Sequence, residues 1–279
     1  MNNIGLLGWP VKHSVSPEMQ NSGFKAANIN FSYSLVEAEP SKLGEIFTKN
    51  INDSFIGFNV TVPHKENIIP FLDELDETAA SLGSVNTIVK QKDGTCKGYS
   101  TDGYGMSMSL LESFGYQTQG GKFLFIGAGG AARAVALYFA LNGAADISII
   151  NRTVSKAEKI CDEITKISNC DAHAIANDDH DKMDEAFQSA DVIIQSSSLG
   201  LKDGDPLPVS PSFLQARHKV VDMIYHQTLF MKTAKDFGCE VIDGRGMLLH
   251  QGAKAWEIWT GQVAPVETMR TALNKALDK

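Results

Sequence analysis

A lysine follows a strand-like apolar segment in the stretch FNVTVPHKENIIP, which runs from Phe58 to Pro70. The stretch begins as a buried strand, stops at Pro63, and places His64 and Lys65 where a helix is expected to begin. An ammonium buried at the end of an inner strand is costly unless a partner offsets its charge. Lys65 therefore either belongs to a site in which its charge is partnered or is a solvated residue of a first helical turn.

Other polar side chains fall at predicted strand ends, where open α/β sheets bind ligands. Ser14 and Ser16 lie just before Pro17 in HSVSPE, and Ser16 is also a natural helix N-cap. Two hydroxyls beside the free N–H groups of a helix start suit a small carboxylate. The other groups of this kind are Thr61 in NVTVPHK, Asn86 in SVNT and Asp102 in YSTDG, the last of which is also explained as a helix N-cap.

The segment FLFIGAGGAARAVALYFA has the strand–turn–helix character of a dinucleotide-binding motif and carries the pattern G-x-G-x-x-A. The first glycine permits the tight turn, the second lets the backbone approach a pyrophosphate, and the helix N-terminus attracts its charge. A simple βα turn is the alternative. The context on both sides of the turn favours dinucleotide binding, with contacts expected at Gly127, Ala128, Gly129, Gly130 and Ala131.

The next strand, DISII, distinguishes between the two nicotinamide cofactors. It ends in Asn151-Arg152-Thr153, with Lys156 just beyond, where an NAD site normally has Asp or Glu to bind the ribose 2′-hydroxyl. An acid here repels a 2′-phosphate, whereas the guanidinium of Arg152 can pair with it in a fork geometry. The sequence therefore predicts NADP, unless Arg152 is merely a solvated residue at a helix start.

The elements that must position these residues alternate along almost the whole chain, which predicts an α/β fold with mainly parallel sheets. NIGLLG, FSYSLVEA and FIGFNVTV predict strands, and SPEMQNSGFKAA and SKLGEIFTKN predict the helices between them. VNTIVKQKDGTCKGYS predicts a hairpin with a two-residue turn at Asp93-Gly94, and TDGYGMSMSLLESFG a helix that ends at Gly115. A second series runs through KFLFIGAGG, DISIINR, DAHAIAN, DVIIQSS, KVVDMIY and CEVID to two last helical patterns. We expect a domain boundary between residues 102 and 120.

Composition narrows the class of protein. The chain has 279 residues, enough for two modest domains, and its 43% hydrophobic and 21% charged residues are typical of a globular enzyme. A net charge of −8 with scattered lysines argues against a general nucleic-acid partner. The four cysteines are widely spaced and no H-E-x-x-H pair occurs, so no metal site or disulfide framework is predicted. Without a signal peptide or a membrane-spanning apolar run, we expect a cytoplasmic protein without a membrane partner.

Seven blocks in one order carry a family resemblance: SVSP at 14–17, NVTVPHK at 59–65, SVNT at 84–87, TDG at 101–103, GAGGAAR at 127–133, NRT at 151–153 and DGRGMLLHQGAKAWEIWTG at 243–261. With these blocks the chain resembles the NADP-dependent members of the shikimate/quinate dehydrogenase family nearly from end to end. The resemblance implies a substrate-binding and catalytic domain of residues 1–102 and 243–279, a Rossmann-like NADP domain of residues 103–242, and a site in the cleft between them. It also implies reversible NADPH-dependent reduction of 3-dehydroshikimate to shikimate in chorismate and aromatic amino-acid biosynthesis.

The resemblance further implies roles for individual residues. Ser14 and Ser16, helped by Tyr225, are expected to hold the substrate carboxylate. The ring hydroxyls and the ketone of the substrate are expected to be bound by Thr61, Lys65, Asn86, Asp102 and Gln251, with Lys65 and Asp102 as the catalytic pair. Beside the glycine turn, cofactor contacts are expected at Asn151, Arg152, Thr153 and Lys156, and on the nicotinamide side at Ile224, Gly246 and Met247.

Three departures from the family pattern affect the geometry rather than the reaction class. Ser100 replaces an Asn before Thr-Asp, the segment HQTLFM after Tyr225 is short and lacks prolines, and QSSSLGL replaces an Asn-Ala-Thr start with Ser196–Ser198. The nearest alternative function is a quinate/shikimate dehydrogenase with relaxed substrate or NAD use. A more distant one is a non-catalytic NADP-binding sensor. The expected partner is a small-molecule substrate, and the chain is either a monomer or a homodimer.

Overall fold

The computed structural model describes residues 2–278, which form two six-stranded sheets with surrounding helices. The strands are β1 (Asn2–Gly8), β2 (Phe31–Glu37), β3 (Phe55–Val60), β4 (Glu74–Leu75), β5 (Thr87–Lys90), β6 (Cys96–Tyr99), β7 (Lys122–Ile126), β8 (Asp146–Asn151), β9 (Asp171–Ala176), β10 (Val192–Gln195), β11 (Lys219–Asp222) and β12 (Glu240–Ile242). The α-helices are α1 (Ser16–Ala26), α2 (Leu43–Asp53), α3 (Glu77–Leu82), α4 (Asp102–Phe114), α5 (Gly130–Leu141), α6 (Val154–Ile167), α7 (His180–Ser189), α8 (Leu229–Asp236), α9 (Arg245–Thr260) and α10 (Val266–Leu277). The predicted α/β class is confirmed.

The chain divides into two compact units, and each contains one of the sheets. The first unit comprises the residues up to Gly105 together with those from Leu248 onward, and the second is Met106–Met247. Both divisions lie inside helices, α4 and α9, a few residues beyond the boundaries that the sequence suggests.

The sheet of the first unit is mixed, with strand order β2-β1-β3-β5-β6-β4. β1 pairs in parallel with β2 and β3, whereas the β3–β5 and β5–β6 pairs are antiparallel. Because side chains alternate along a strand, Ile4 and Leu6 face the apolar cluster that contains Trp256, whereas Leu7 faces the cluster that contains Phe47. Helices therefore cover both faces of this sheet.

The sheet of the second unit is parallel throughout, with strand order β12-β11-β10-β7-β8-β9. Its strands are continuous apolar runs such as FLFI and VII, as expected for strands that helices cover on both faces. The strand order reverses between β7 and β10, which is the position at which doubly wound sheets bind nucleotides. Among residues 2–278, no helix has both the length and the apolar character needed to cross a bilayer.

The helix expected to begin at His64 and Lys65 does not form. Residues 61–68 make turns, and only a short 3-10 helix, Ile69–Phe71, follows. Pro70 has no N–H to donate to the carbonyl four residues before it, so an α-helix starting at Lys65 cannot continue through Pro70.

The predicted hairpin is confirmed, but the prediction that its turn has two residues is wrong. Gln91 donates its N–H to the carbonyl of Thr95 at 2.7 Å, which closes a three-residue loop of Lys92, Asp93 and Gly94. The Asp93 carboxylate accepts the N–H of Thr95, and Gly94 takes a φ of 91°, the left-handed residue that three-residue hairpin loops require.

Candidate active site

The carboxyl edge of the first sheet gathers most of the candidate substrate residues. β1 and β3 are parallel, so the segments that follow them, with Ser14, Ser16, Thr61 and Lys65, leave from the same edge. β5 is antiparallel to β3 and pairs Thr87 with Asn59, so Asn86 enters the sheet at that edge. The topology explains why residues far apart in sequence meet here.

Lys65 and Asp102 form a direct ion pair. The Lys65 Nζ lies 2.5 Å from Asp102 Oδ2, and the lysine side chain is only 20% exposed. The carbonyl of Lys65 accepts the N–H of Val85 at 2.8 Å, which fixes the turn that carries the lysine. Asp102 is the first residue of α4 and is buried. The lysine is thus partnered rather than solvated, as its position after an inner strand requires.

The amide of Asn86 supports the second oxygen of Asp102. Asn86 Nδ2 donates to Asp102 Oδ1 at 2.9 Å and lies 3.3 Å from Gln251 Oε1. Asn86 Oδ1 accepts the backbone N–H of Thr101 at 2.8 Å, and because an N–H can only donate, this bond fixes which end of the amide faces Asp102. Four of the predicted residues are therefore brought together, and Thr101 is an additional support that the sequence did not single out.

The two serines before α1 are arranged differently from the prediction. The N-cap position is Val15, and Ser16 is already the first helical residue, so the assignment of Ser16 as N-cap is wrong. Ser14 takes part of that role, because its Oγ accepts the N–H of Ser16 at 3.3 Å. Ser14 Oγ also donates to Ser16 Oγ at 3.1 Å. The result is a pair of hydroxyls at a helix N-terminus, a suitable environment for an anion.

The glycine turn of the second unit leaves open space at the start of α5. Gly127 has a φ of 113°, and a Cβ there would lie 2.8 Å from the backbone N of Ser197. At Gly129 and Gly130, by contrast, a Cβ would meet nothing within 4 Å. Free N–H groups and an open approach at a helix N-terminus fit the pyrophosphate of a dinucleotide.

The segment after β8 lies beside this turn. Asn151 Oδ1 accepts the N–H of Ala128 at 3.2 Å, and its Nδ2 donates to the carbonyl of Thr153 at 2.8 Å. Asn151 therefore ties the glycine turn to the start of α6, where Thr153 is the N-cap residue. Arg152 and Lys156 are exposed. This arrangement fits a nucleotide that carries a 2′-phosphate, because its charge can meet a guanidinium and an ammonium there.

A buried carboxylate that the sequence analysis missed shapes the loop after β11. Asp222 accepts the N–H of Ile224 at 3.1 Å and the hydroxyl of Thr228 at 2.7 Å, and burial raises its pKa. Thr228 lies in the shortened segment HQTLFM, which this bond closes. The N–H of Gly244 donates to the carbonyl of Ile224 at 3.1 Å. The loop with Ile224 and Tyr225 thus adjoins the segment that leads to Gly246 and Met247.

The segment QSSSLGL, which departs from the family pattern at Ser196–Ser198, is held in place by Gln195, which is fully buried. Its Oε1 accepts the N–H of Ser197 at 2.8 Å, and its Nε2 donates to the carbonyl of Leu199 at 2.7 Å. Ser196 Oγ lies 3.1 Å from the carbonyl of Gly127, so this loop packs against the glycine turn. The other departure, Ser100, has a buried hydroxyl with no hydrogen-bond partner among residues 2–278, and Asp102 is held without it.

A parallel sheet with a glycine turn and a separate lysine–carboxylate pair define a nicotinamide-dependent dehydrogenase. Family models match residues 6–88 (shikimate dehydrogenase substrate binding domain), 109–200 (shikimate/quinate 5-dehydrogenase) and 244–273 (shikimate 5′-dehydrogenase C-terminal domain). The shikimate dehydrogenase (NADP(+)) of Desulforamulus reducens is 39% identical over 279 residues, covering 99% of this chain and 95% of the relative. The chain belongs to the shikimate dehydrogenase family.

Solved structures agree in fold over the whole chain. A shikimate dehydrogenase crystallised with NADP+ is 36% identical, with a TM-score of 0.92 over 100% of this chain and 96% of the other. The shikimate 5-dehydrogenase of Listeria monocytogenes, in complex with shikimate and NAD, is 34% identical, with a TM-score of 0.92 over 98% of this chain and 96% of the other.

Proposed function

We propose that Lys65 and Asp102 are the catalytic pair of this protein, an NADP-dependent oxidoreductase that interconverts 3-dehydroshikimate and shikimate in the shikimate pathway. The observation that supports the pair is the 2.5 Å contact between the Lys65 ammonium and the Asp102 carboxylate at the carboxyl edge of the first sheet. An ammonium that is both covered and oriented can donate a proton to one defined position. The identities of the substrate and the cofactor are inferred from membership of the shikimate dehydrogenase family.

The reduction adds a hydride to the carbonyl carbon and a proton to the carbonyl oxygen. When bound, NADPH supplies the hydride. Lys65 donates the proton to the developing alkoxide, and its positive charge stabilises that oxygen in the transition state. In the reverse direction neutral Lys65 accepts the proton from the substrate hydroxyl. Asp102, held by Asn86, orients the ammonium and accepts a hydrogen bond from a ring hydroxyl.

The remaining polar groups bind and orient the substrate. Ser14 and Ser16, with the N–H groups of α1, hold the carboxylate, and Tyr225 contributes its hydroxyl to the same group. The other ring hydroxyls are held by side chains at the start of β5, after β3 and on α9: Asn86, Thr61 and Gln251. The first unit is in this proposal the substrate-binding domain, and the second is the NADP-binding domain.

The cofactor is NADP, and the second unit carries the residues proposed to hold it. The glycine turn from Gly127 to Ala131 accommodates the pyrophosphate, with Asn151 and Thr153 fixing the adjacent segment. Arg152 and Lys156 pair with the 2′-phosphate. The surfaces proposed for the nicotinamide are Ile224, Gly246 and Met247.

The two alternative functions are not favoured. Three curated relatives, each 37–39% identical to this chain, are named as NADP(+) enzymes, and Arg152 replaces the acid that an NAD site favours. A non-catalytic sensor would have no use for a paired Lys65 and Asp102. We further propose a cytoplasmic location because the reaction is biosynthetic, with small molecules as partners and a monomeric or homodimeric state.

Lys65→Ala tests the catalytic assignment. We expect turnover of shikimate with NADP to fall by at least about 100-fold, the scale of general acid catalysis, while the Kd for NADP is unchanged. The measurement is the initial rate at the nicotinamide absorbance, with shikimate and quinate and with NADP and NAD. Lys90→Ala is the matched control, because Lys90 is also part-buried in the first unit but donates to the carbonyl of Ile51. Near-normal turnover of Lys65→Ala would remove Lys65 from this role.

A further inference from the structure

An arginine that the proposed function does not use joins two segments of the second unit. Arg245 is the first residue of α9, and its Nε donates to the carbonyl of Tyr225 at 3.1 Å. The same Nε lies 3.2 Å from Asp243 Oδ2, and the arginine side chain is only 26% exposed. Fixing a long charged side chain costs rotamer entropy, so its contacts must offset that cost. The guanidinium therefore restrains the main chain to which it donates.

The Tyr225 loop, which we define as residues 223–228, is held at its base by Asp222. The Asp222 carboxylate accepts the N–H of Ile224 at 3.1 Å and the hydroxyl of Thr228 at 2.7 Å. These two bonds fix the beginning and the end of the loop. Neither of them reaches the carbonyl of Tyr225, so the contact from α9 restrains a part of the loop that Asp222 does not.

The segment that leads into α9 contacts the same loop through its main chain. The N–H of Gly244 donates to the carbonyl of Ile224 at 3.1 Å, and a Cβ at Gly244 would overlap the carbonyl of Met223. The Asp243 carboxylate accepts the backbone N–H of Arg245 at 3.0 Å, which fixes the start of the helix. The arginine side chain thus adds a second connection, one residue further along each segment.

The residues proposed for the nicotinamide surface lie directly beside both ends of this connection. Ile224 precedes Tyr225 in the loop, and Gly246 and Met247 follow Arg245 in α9. A surface that two segments form together keeps its shape only if the distance between them is fixed. The Arg245 side chain spans that distance.

We propose that Arg245 is a positioning residue that fixes the Tyr225 loop against the start of α9 and thereby orients the nicotinamide. The proposal rests on the proposed function, because it takes Ile224, Gly246 and Met247 as the nicotinamide surface. A surface that is formed before binding loses less conformational freedom when the cofactor binds. Hydride transfer also depends on close placement of the reacting atoms, so a loosened surface lowers the rate as well as the affinity.

Arg245→Met tests this role, because it keeps an unbranched side chain and removes the guanidinium. The backbone N–H of residue 245 still reaches Asp243, so α9 should begin at the same place. We expect the Kd for NADP to rise about 3- to 10-fold, the effect of losing one hydrogen bond, and the Kd for adenosine 2′,5′-bisphosphate to change less than about 2-fold. This fragment has the 2′-phosphate but no nicotinamide. Calorimetric titration measures both constants, and kcat with shikimate should fall at least about 10-fold.

Arg245→Lys should restore the function that Arg245→Met loses. Because the contact with Tyr225 uses one donor rather than a bidentate pair, an ammonium can replace it, and the Kd for NADP should stay within about 2-fold of the wild type. If Arg245→Met does not fold, Asp243→Asn keeps an oxygen for the N–H of residue 245 but removes the charge beside the guanidinium. It should raise the Kd for NADP by a smaller factor and leave the Kd for the bisphosphate unchanged.

Arg217→Met is the matched control. Arg217 also donates to main-chain carbonyls of the second unit, those of Ala190 at 2.7 Å and Gln188 at 2.6 Å. It precedes β11, whereas the Tyr225 loop follows that strand, so the two arginines act at opposite edges of the sheet. We expect this control variant to lose stability without a change in either Kd.

The outcomes separate this proposal from the proposed function. An Arg245→Met variant with unchanged constants, or with an equal rise in both, overturns the positioning role alone, as does an Arg245→Lys variant that is equally impaired. A wild-type protein that binds NADP without turning over shikimate overturns the catalytic assignment, and the two constants still decide the role of Arg245. A wild-type protein that binds NADP no more tightly than the bisphosphate overturns the nicotinamide surface and the positioning role together.

Discussion

Arg152 is the residue on which we expect the choice of cofactor to depend. Arg152→Gln keeps a polar side chain but removes the guanidinium proposed to meet the 2′-phosphate. Since a hydrogen bond to a charged group is worth about 1.5–3 kcal/mol, the Kd for NADP should rise by about 10- to 100-fold. The Kd for NAD, which has no 2′-phosphate, should change less than about 3-fold. Fluorescence titration with both cofactors measures the two constants.

The control for this prediction is Arg270→Gln, which removes another guanidinium, one that pairs with Glu267 on α10 in the first unit. It should leave both cofactor affinities unchanged. An equal loss of NADP and NAD affinity in Arg152→Gln would contradict the 2′-phosphate assignment and indicate a general role in nucleotide binding.

For individual residues, the sequence predicted the position of a side chain at a strand end better than it predicted the contacts of that side chain. Lys65, Asn86 and Asp102 were identified by type and position, and the structure brings them together. The positions of Gln195 and Asp222 gave no such signal, because a buried polar residue in an apolar run is indistinguishable from an edge residue until the strand order is known. The hydrogen bond from the Tyr33 hydroxyl to Asn59 Oδ1 joins two strands that are not neighbours in the sheet, which no local pattern can indicate.

At the scale of elements, the turn between β7 and α5 requires glycine for two different reasons. Gly127 has a φ of 113° and no room for a Cβ, whereas Gly129 has a φ of −88° and open space. Gly127→Ala should therefore lower the free energy of unfolding by about 1–3 kcal/mol. Gly129→Ala should leave that free energy nearly unchanged but raise the Kd for NADP at least about 10-fold, because its methyl group occupies the approach to the helix N-terminus.

The two variants serve as controls for each other, because each adds one methyl group and the two positions are only two residues apart. Urea unfolding gives the free energy, and titration at a temperature where both variants are folded gives the Kd. A Gly129→Ala variant that is destabilised as much as Gly127→Ala, or that binds NADP normally, would contradict the proposed approach of the pyrophosphate.

Long elements were predicted well and short ones poorly. The parallel strands of the second unit are buried on both faces, so each is a continuous apolar run that local sequence identifies. β4 has two residues and α3 has six, too few to establish a period, and both were missed. The helix expected after Pro63 does not form because a second proline, Pro70, lacks the N–H that an α-helix through this segment would need.

On the scale of the whole molecule, the alternation of strands and helices was enough to predict the α/β class and a second strand–helix series. The strand orders were not predictable, because pairing depends on which apolar faces the complete chain can bury. The chain passes between its two units inside α4 and α9, so no loop or linker composition marks the divisions at Gly105 and Met247.

Stability of the whole protein should depend on pH through a buried histidine in the second unit. The Nε2 of His218 lies 2.8 Å from the carbonyl of Phe187, and its Nδ1 accepts the N–H of Gln215 at 3.1 Å. A carbonyl can only accept and an N–H can only donate, so the ring is neutral with its proton on Nε2. Burial lowers the pKa of His218 from its usual 6.5, because a second proton would be buried and would break the bond from Gln215.

A histidine with a lowered folded-state pKa contributes stability that is present above pH 6.5 and is lost as pH falls toward that lowered value. Below pH 6.5 the unfolded chain binds a proton that the folded protein does not, so the free energy of unfolding should fall by up to about 1.4 kcal/mol per pH unit.

His218→Gln keeps a donor for the carbonyl of Phe187. This variant should be less stable than the wild type at pH 7.5 but should lose less stability on going to pH 5.5. The raised pKa of Asp222 acts in the opposite direction, but it is common to both proteins and cancels in their difference. Urea unfolding at pH 7.5, 6.5 and 5.5 measures the slopes, with His173→Gln, at an exposed histidine, as the control. Equal slopes for His218→Gln and the wild type would show that His218 titrates alike in the folded and unfolded states.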